Sequence, residues 1–392
     1  MKAGKAGTRK EQFLALALEL AEKGRGFASP NPMVGAVVEW NGFVIGTGYH
    51  ARYGDAHAEV NAIQDAGKEM ECAFCEADAL KHKDKRMMPR GFTKGTTLYV
   101  SLEPCCHWGK QPPCVDAIVR AGIKKVVYAL QDPNPLVRGK GHKALEKAGI
   151  RVEKAPASSA AAAAARELNK AYLKRMEISL PYVVLKVAMS ADGKIAGQKG
   201  KWISGPEERA EVQWMRAHSD AVLVGINTAL KDDPRLTARM KGAPRRAQPL
   251  RVVLDSRLRL SPKARLLKEK GSVLVLTTRK ARAAKRRALE KKGAEVVVVK
   301  GRAGRVDLRA ALKELGKRMI NEVLVEGGQK LGTALLAQGL VDELCLAVSP
   351  REIGPKGLDA FDFRQLKGKK IRFGKMDVRK LGRDLMVKVR LA

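Results

Sequence analysis

The chain has 392 residues, 45% of them apolar, and carries 76 Lys and Arg against 41 Asp and Glu, a formal net charge of +35. That length exceeds what one core usually supports, so two domains are expected. No apolar run approaches the length of a bilayer span and "MKAGKAGTRKEQF" lacks the apolar stretch of a secretory signal, which excludes a membrane or secreted reading and leaves a cytoplasmic protein that meets phosphates.

Residues 10–23 have apolar side chains at helical spacing and stop at Gly24. "SPNPMVGAVV" reads as a turn feeding a strand, which pairs with "FVIGTGYH" through the turn "WNG". A helix begins near His57 in "HAEVNAI". Residues 66–95 are charged, break the rhythm and read as a surface insertion; their Cys72 and Cys75 form a C-x-x-C with no second pair and are taken as incidental thiols. "TTLYVSLEP" is a strand, "CVDAIVRAG" a helix closed by Gly122, and "IKKVVYAL" another strand. This alternation implies an α/β domain whose sheet is largely parallel after its opening hairpin.

The alanine-rich run "APASSAAAAAARELNK" marks the boundary: a first domain over 1–154, a linker over 155–179 and a second domain over 180–392. Beyond it, "PYVVLKVAMSADGKIA", "DAVLVGINT", "LRVVLDS", "SVLVLTT", "AEVVVVK" and "NEVLVEGG" are strand-like runs separated by helix-like stretches, a second and larger α/β domain. The basic run "RKARAAKRRALEKK" (279–292) has helical spacing and few aromatics, so it reads as a solvated helix face. Single-stranded nucleic acid would want stacking platforms, and aromatics are only 5% of the chain.

Of the six cysteines, Cys72, Cys75, Cys105, Cys106 and Cys114 cluster in the first third and Cys345 lies apart, which in a reducing compartment suggests metal or catalytic use rather than disulfides. Hydrolytic deamination of an aminopyrimidine needs a nucleophilic water at neutral pH. Zinc held by three protein ligands with one open position provides it, and a carboxylate beside the metal can carry the proton to the leaving amine. His57 and Glu59 in "HAE" fit these roles, and "EPCCHWGKQPPC" offers the remaining ligands. The general signature continues P-C-x-x-C; here eight residues separate Cys105 from Cys114. Cys106 is a formal alternative, but the side chains of adjacent cysteines diverge, whereas Cys114 opens the following helix and can face back at Cys105; Cys114 is chosen.

"SPNPMVGAVV", "GYHARYGDAHAEV", "LYVSLEPCCHWGKQPPC" and "ALQDPNPLVRGKG" resemble the deaminase half of the bifunctional riboflavin-biosynthesis deaminase–reductase family, in which the long cysteine spacing is usual. The resemblance implies a cytidine-deaminase-like three-layer α/β/α domain with zinc on His57, Cys105 and Cys114, Glu59 as proton shuttle, and Asn31, His50, Lys110, Asp132 and Asn134 holding the pyrimidine and its ribose phosphate. Lys110 also suits a phosphate as a point charge, and Asn134 in "DPNP" equally suits an Asx turn. The 66–95 segment is longer than usual in that family, and Cys106 stands where a serine is usual.

In the second domain, "VLVEGG" before a helix is a turn at which a phosphate can meet backbone N–H groups, and no G-x-G-x-x-G follows its first strand. "LKVAMSADGKIA", "KWISG", "DAVLVGINTALKDDPRLTAR", "RVVLDSRLRL" and "VLVEGG" resemble the reductase half of the same family, with a fold similar to dihydrofolate reductase and NADPH as reductant; the likeness weakens beyond about 355. It implies that Ala188, Trp202, Thr228, Asp232, Ser256, Gly327 and Gly328 contact NADPH, and that Lys186, Arg216, Leu236, Arg239 and Glu326 contact substrate. Trp202 and Leu236 would serve equally well as core. Gly200 replaces a usual serine and Ala191 a usual leucine.

The function expected is therefore zinc-dependent deamination of 2,5-diamino-6-ribosylamino-4(3H)-pyrimidinone 5′-phosphate, then NADPH-dependent reduction of the ribosyl group, by a homo-oligomer acting on phosphorylated pyrimidines. The alternative is an RNA-binding nucleobase deaminase with an accessory C-terminal domain, favoured by the charge. A third keeps one active domain and makes the other a scaffold.

Overall fold

The computed structural model describes residues 8–74, 93–197, 202–240 and 248–391, with the side chains of 69–74 set aside. Cys75, Gly200 and most of the expected insertion lie outside them, and Cys72 is described by its backbone alone. The chain divides into two compact units, Met1–Glu177 and Ile178–Ala392.

The first unit runs α1 (Arg9–Glu22), β1 (Gly35–Trp40), β2 (Phe43–Tyr49), α2 (Ala58–Phe74), β3 (Thr97–Val100), α3 (Cys114–Ala121), β4 (Lys125–Tyr128), α4 (Lys140–Lys147), β5 (Arg151–Lys154), α5 (Ala160–Leu168) and α6 (Lys170–Ile178). Its sheet has the order β2-β1-β3-β4-β5, antiparallel through the opening hairpin and β3, then parallel. Successive strand residues serve opposite faces. Val38, Leu98 and Val126 pack with Ala62, Ile118 and Leu145, while their neighbours Val37, Tyr99 and Val127 pack with Leu14, Ala17 and Ala165. Both faces are covered by helices, giving three α/β/α layers, and the strands are apolar at consecutive positions for that reason.

Helix α2 lies on β2 with almost nothing between the backbones. A Cβ added at Gly48 would collide with the backbone of Ala58 and Ala62, and one at Gly46 with that of Ala62 and Ala66. The glycines alternate on one face of the strand, and the alanines repeat every four residues along one face of the helix, so each sequence period supplies half of the contact.

The alanine-rich segment expected as a linker is instead part of this unit. Ala161, Ala162 and Ala165 are buried. Asn169 then engages both backbone groups of Met33, accepting from its N–H at 2.8 Å and donating to its carbonyl at 2.9 Å. Alanine suits a helix face that must come close to a neighbour, which a low-complexity reading cannot distinguish from a spacer.

The second unit comprises β6 (Tyr182–Ser190), β7 (Lys194–Ala196), α7 (Pro206–His218), β8 (Ala221–Gly225), α8 (Ile226–Asp232), β9 (Leu250–Leu254), β10 (Val273–Thr277), α9 (Ala283–Glu290), β11 (Ala294–Val298), the small hairpin β12 (Gly301–Arg302) and β13 (Arg305–Val306), α10 (Leu308–Lys317), β14 (Glu322–Val325), α11 (Gln329–Ala337), β15 (Glu343–Ser349), β16 (Leu358–Asp359), α12 (Phe363–Leu366), β17 (Phe373–Leu381) and β18 (Asp384–Leu391). The main sheet has the order β11-β10-β9-β8-β14-β6-β15-β18-β17. Its strands are parallel from β11 to β15 and antiparallel at β18 and β17. The six runs expected as strands are all present, and β15, β17 and β18 join them. One face packs Leu185, Leu223 and Val325 against Leu312 and Leu315 of α10 and Leu335 of α11.

Gly48→Ala should cost about 2 kcal/mol and lower the unfolding midpoint of the first unit by about 4–8 °C. Gly109→Ala, where an added Cβ meets nothing within 4 Å, should leave the midpoint unchanged; scanning calorimetry of both variants checks this.

Candidate active sites

His57 immediately precedes α2, Cys105 lies in the loop after β3, and Cys114 is the first residue of α3. His57 Nδ1 is 3.2 Å from Cys114 Sγ and 3.5 Å from Cys105 Sγ. All three donor atoms lie within 4.8 Å of one another. The Cys114 backbone N–H donates to Cys105 Sγ at 3.3 Å, so the start of α3 itself orients the other thiol. Cys106 turns away, its Sγ 3.6 Å from the Leu136 carbonyl oxygen. One imidazole nitrogen and two thiols form a borderline-soft set of three, which fits zinc with a fourth position open. The Cys114 thiol holds Cys105 below the ordinary thiol range, and Cys105 together with burial holds Cys114 well above it.

Glu59, in the first turn of α2, is 3% exposed. Burial, then the Cys105 thiolate, push its carboxyl up to about 7. A carboxyl group poised to exchange a proton at neutral pH thus stands beside the cluster. His50 is buried, and burial lowers its pKa, consistent with a neutral ring that accepts from Asn31 Nδ2 at Nε2 (3.1 Å) and donates from Nδ1 to the Ala56 carbonyl (3.1 Å). Its ring meets that of His57 edge-on, with centroids 5.1 Å apart.

Lys110 is exposed, its Nζ 4.2 Å from the centroid of the Tyr53 ring. Asp132 is buried and pushed up to about 6, chiefly by burial, although it accepts from the Asn134 N–H (2.8 Å) and the Tyr172 hydroxyl (2.9 Å). Asn134 Oδ1 accepts from the Leu136 N–H at 3.0 Å, which is the Asx turn the sequence allowed. Tyr172 was not anticipated; it sits on α6, inside the stretch read as a linker.

In the second unit, the carboxyl ends of parallel strands bring several expected residues to one edge. Glu326 follows β14 and receives Arg216 of α7 through two hydrogen bonds, Nε–Oε1 at 2.5 Å and NH2–Oε2 at 2.7 Å, while Arg216 NH1 donates to the Thr237 carbonyl at 3.2 Å. Arg239 NH1 donates to Thr237 Oγ1 at 3.0 Å. Lys186, on β6, pairs with Glu208 at 2.5 Å, and Ser204 donates to the other Glu208 oxygen at 2.6 Å. Glu208 was also not anticipated. Its signal is helical: Glu208, Val212 and Arg216 recur at intervals of four along α7, and all three are buried.

Gly327 and Gly328 lead into α11, whose N-cap Gly328 supplies no side-chain cap. With no side-chain cap on its first turn, this helix end fits an anionic nucleotide. A Cβ on Gly328 would stand 3.7 Å from Thr228 Oγ1, so the two expected contacts are neighbours. Ala188 lies on β6, Asp232 ends α8 exposed, and Ser256 follows β9. Trp202 is 53% exposed under the Arg209 guanidinium, 5.2 Å from its ring centroid, and is not core. The Leu236 side chain is core at 1% exposure.

The three-layer unit with its His/Cys/Cys cluster and the parallel-sheet unit with its uncapped glycine turn together define a zinc deaminase joined to a reductase. Residues 8–130 match the family model described as the cytidine and deoxycytidylate deaminase zinc-binding region, and residues 181–387 that of the RibD C-terminal domain. The chain is 38% identical over 381 residues to the riboflavin biosynthesis protein RibD of Aquifex aeolicus, covering 96% of this chain and 97% of that protein. It is 37% identical over 356 residues to that of Escherichia coli K12, covering 88% of each. The solved structure of Acinetobacter baumannii RibD is 36% identical with a TM-score of 0.83 over 98% of this chain and 99% of that one. A Thermotoga maritima structure, described as a diaminohydroxyphosphoribosylaminopyrimidine deaminase/5-amino-6-(5-phosphoribosylamino)uracil reductase, is 33% identical with a TM-score of 0.77 over 98% of this chain and 99% of that one. The chain belongs to the RibD family of riboflavin biosynthesis, a bifunctional deaminase and reductase whose cofactors are zinc and NADPH. An RNA deaminase with an accessory domain is set aside, because the C-terminal half is itself the family's reductase domain. Among the described residues, no helix is long and apolar enough to cross a membrane.

Tyr172→Phe should raise the Asp132 pKa above about 6, because the hydroxyl stabilises the charged carboxylate it donates to. The folded state already binds that proton more tightly than the unfolded chain, so Asp132 costs stability increasingly as pH rises through its unfolded value towards 6, and the variant extends that window upward. Carbon-13 NMR titration of the Asp132 carboxyl reads the shift directly; an unchanged or lowered pKa would contradict it.

Proposed function

We propose that His57, Cys105 and Cys114 hold the zinc and that Glu59 is the proton carrier in the deamination of 2,5-diamino-6-ribosylamino-4(3H)-pyrimidinone 5′-phosphate. The observation that carries this reading is the convergence of three zinc-type donors within 4.8 Å beside a buried carboxyl group. Zinc, when bound, supplies a water acidic enough to be a nucleophile at neutral pH, and NADPH supplies a hydride to the second unit. Glu59 takes a proton as water adds to the amine-bearing ring carbon and returns it to the departing nitrogen, so that one water is consumed and one ammonia leaves. The neutral His50, bonded on both ring nitrogens, fixes the Asn31 amide, whose oxygen and remaining N–H meet the pyrimidine edge. Lys110, Asp132 and Asn134 hold the ribose phosphate.

In the second unit, Arg216 and Arg239 receive the substrate phosphate, with Glu326 fixing the fork of Arg216 and the Leu236 backbone bounding the pocket. Lys186, steadied by Glu208, reaches the sugar. NADPH is held by Ala188, Trp202, Thr228, Asp232, Ser256, Gly327 and Gly328. Hydride reaches C1′ and a proton reaches the ring oxygen, which opens the ribosyl group to ribityl.

Ammonia release by the zinc-loaded protein without NADPH tests the first half. Glu59→Gln should lower it by about 10³-fold while zinc content by atomic absorption stays at one per chain. Cys114→Ser should lose both zinc and activity. Release that survives in Glu59→Gln, or its absence from folded, zinc-loaded wild type, would sink the assignment.

A further inference from the structure

The corner of the second unit around Ser256 is bound together from three separate segments. The Ser256 carbonyl accepts from the Thr278 hydroxyl at 2.8 Å, and the Ser256 hydroxyl accepts from the Val306 N–H at 3.0 Å. The loop after β9, the turn from β10 to α9 and the hairpin β12–β13 therefore meet at one serine. Lys280 Nζ lies 3.6 Å from where a Cβ would stand on Gly304, so its ammonium rests against the hairpin turn. Arg302 and Arg305 are paired across that hairpin.

This corner presents Arg257, Arg279, Lys280, Arg302 and Arg305, all exposed. None of the five has an acid within ion-pair distance among the described residues, although arginines elsewhere on the unit do, as in Arg286–Glu290 and Arg318–Glu295. The acids close by in sequence are committed. Asp255 is buried and accepts from the Leu260 N–H at 2.8 Å, and Asp307 caps α10 by accepting from the Ala310 N–H at 2.7 Å. Five positive charges thus stand on the three segments that meet at Ser256, with no ion-pair partner among the described residues.

The sheet order says what stands opposite them. Substrate-facing Lys186 lies on β6; the glycine turn follows β14, Thr228 follows β8, and Ser256 follows β9. Those strands are consecutive in the order β9-β8-β14-β6. Three inter-strand steps of about 4.8 Å each separate the hydride end from Ser256. A dinucleotide with its nicotinamide at β6 and its pyrophosphate at the glycine turn lays its adenosine at Ser256. NADPH differs from NADH only by a phosphate on that adenosine ribose. We propose that the basic corner formed by Arg257, Arg279, Lys280, Arg302 and Arg305 reads the 2′-phosphate of NADPH and sets the preference for NADPH over NADH. This rests on the reading of the carboxyl edge as the NADPH site. Guanidinium forks suit a dianionic phosphate, and Arg279 and Lys280 sit on the turn tied to Ser256 through Thr278.

The test is calorimetric titration of the zinc-loaded full chain with NADPH, NADH, 2′,5′-ADP and 5′-AMP. Two variants are compared with wild type: Arg279→Ala/Lys280→Ala, and Arg302→Ala/Arg305→Ala on the hairpin, so that a folding defect in either leaves the other informative. Each double variant should weaken NADPH and 2′,5′-ADP at least about tenfold and leave NADH and 5′-AMP within about twofold. If wild type prefers NADPH and both variants keep that preference, the corner is overturned while the NADPH site stands. Equal weakening of NADPH and NADH would also overturn it, since the charges would then not discriminate. A wild type that binds none of the four overturns the site itself, and the corner with it.

Discussion

The near-contact of α2 and β2 is the constraint on which the deaminase site depends. With no side chain between Gly46 or Gly48 and the helix, α2 cannot shift along the strand without its backbone striking β2. That fixes the helix start, and with it His57 just before the first turn and Glu59 within it. The other two donors arrive from a separate connection, the loop leaving β3 and the first residue of α3. Three donors are brought together by two helix starts, where unsatisfied N–H groups favour negative charge. The Cys114 N–H bond to Cys105 Sγ is that effect acting on one atom, and it favours the thiolate a metal requires.

The features legible in sequence are those in which one local pattern has one physical use. Glycines spaced by two in "FVIGTGYH" and alanines spaced by four in "HAEVNAIQDA" each carry the period of their own element. The H-x-E pair and the proline-led cysteine mark a helix start and a loop with little other purpose. Tyr172 and Asn169 were hidden because their partners, Asp132 and Met33, lie 40 and 136 residues away, and no local period reports such a pairing. Their segment was hidden a second time by its alanines, which serve a buried helix face and a spacer alike. Strand β17 escaped because it is exposed along nearly its whole length and mixes Lys and Arg with apolar residues, so neither alternation nor an apolar run marks it. Strand β15, "ELCLAVS", carries a readable apolar signal although it is not among the six expected runs.

The second unit uses a different device. Its strands are parallel from β11 to β15, so their carboxyl ends share one edge, and residues more than a hundred positions apart, such as Arg216 and Glu326, meet there. An open α/β sheet gathers ligands at that edge for the same reason. The charge of the chain acquires a partial physical account from it. On the proposed reading, the site takes a substrate phosphate, a pyrophosphate and a ribose phosphate on neighbouring loops and needs its cations at the strand ends. The acids there are accordingly engaged: Glu326 with Arg216, Glu208 with Lys186, and Asp255 with backbone N–H groups.

Two glutamates show how the same side chain is shifted in opposite directions by its surroundings. Glu59 is 3% exposed, and the Glu326 side chain is 18% exposed, so each loses much of its hydration. Burial alone would raise both. Burial and then the Cys105 thiolate, opposed by His57, bring the Glu59 carboxyl to about 7. Beside Glu326 stands a guanidinium bound through two hydrogen bonds, which outweighs burial and leaves the carboxyl below its ordinary value. A group that must accept and release a proton in each turnover needs the first environment, because its two protonation states must be close in free energy. A group that must hold an arginine in one orientation needs the second, because any protonation would release the fork. The neighbour, more than the residue type or its depth, separates the raised carboxyl from the lowered one in this chain.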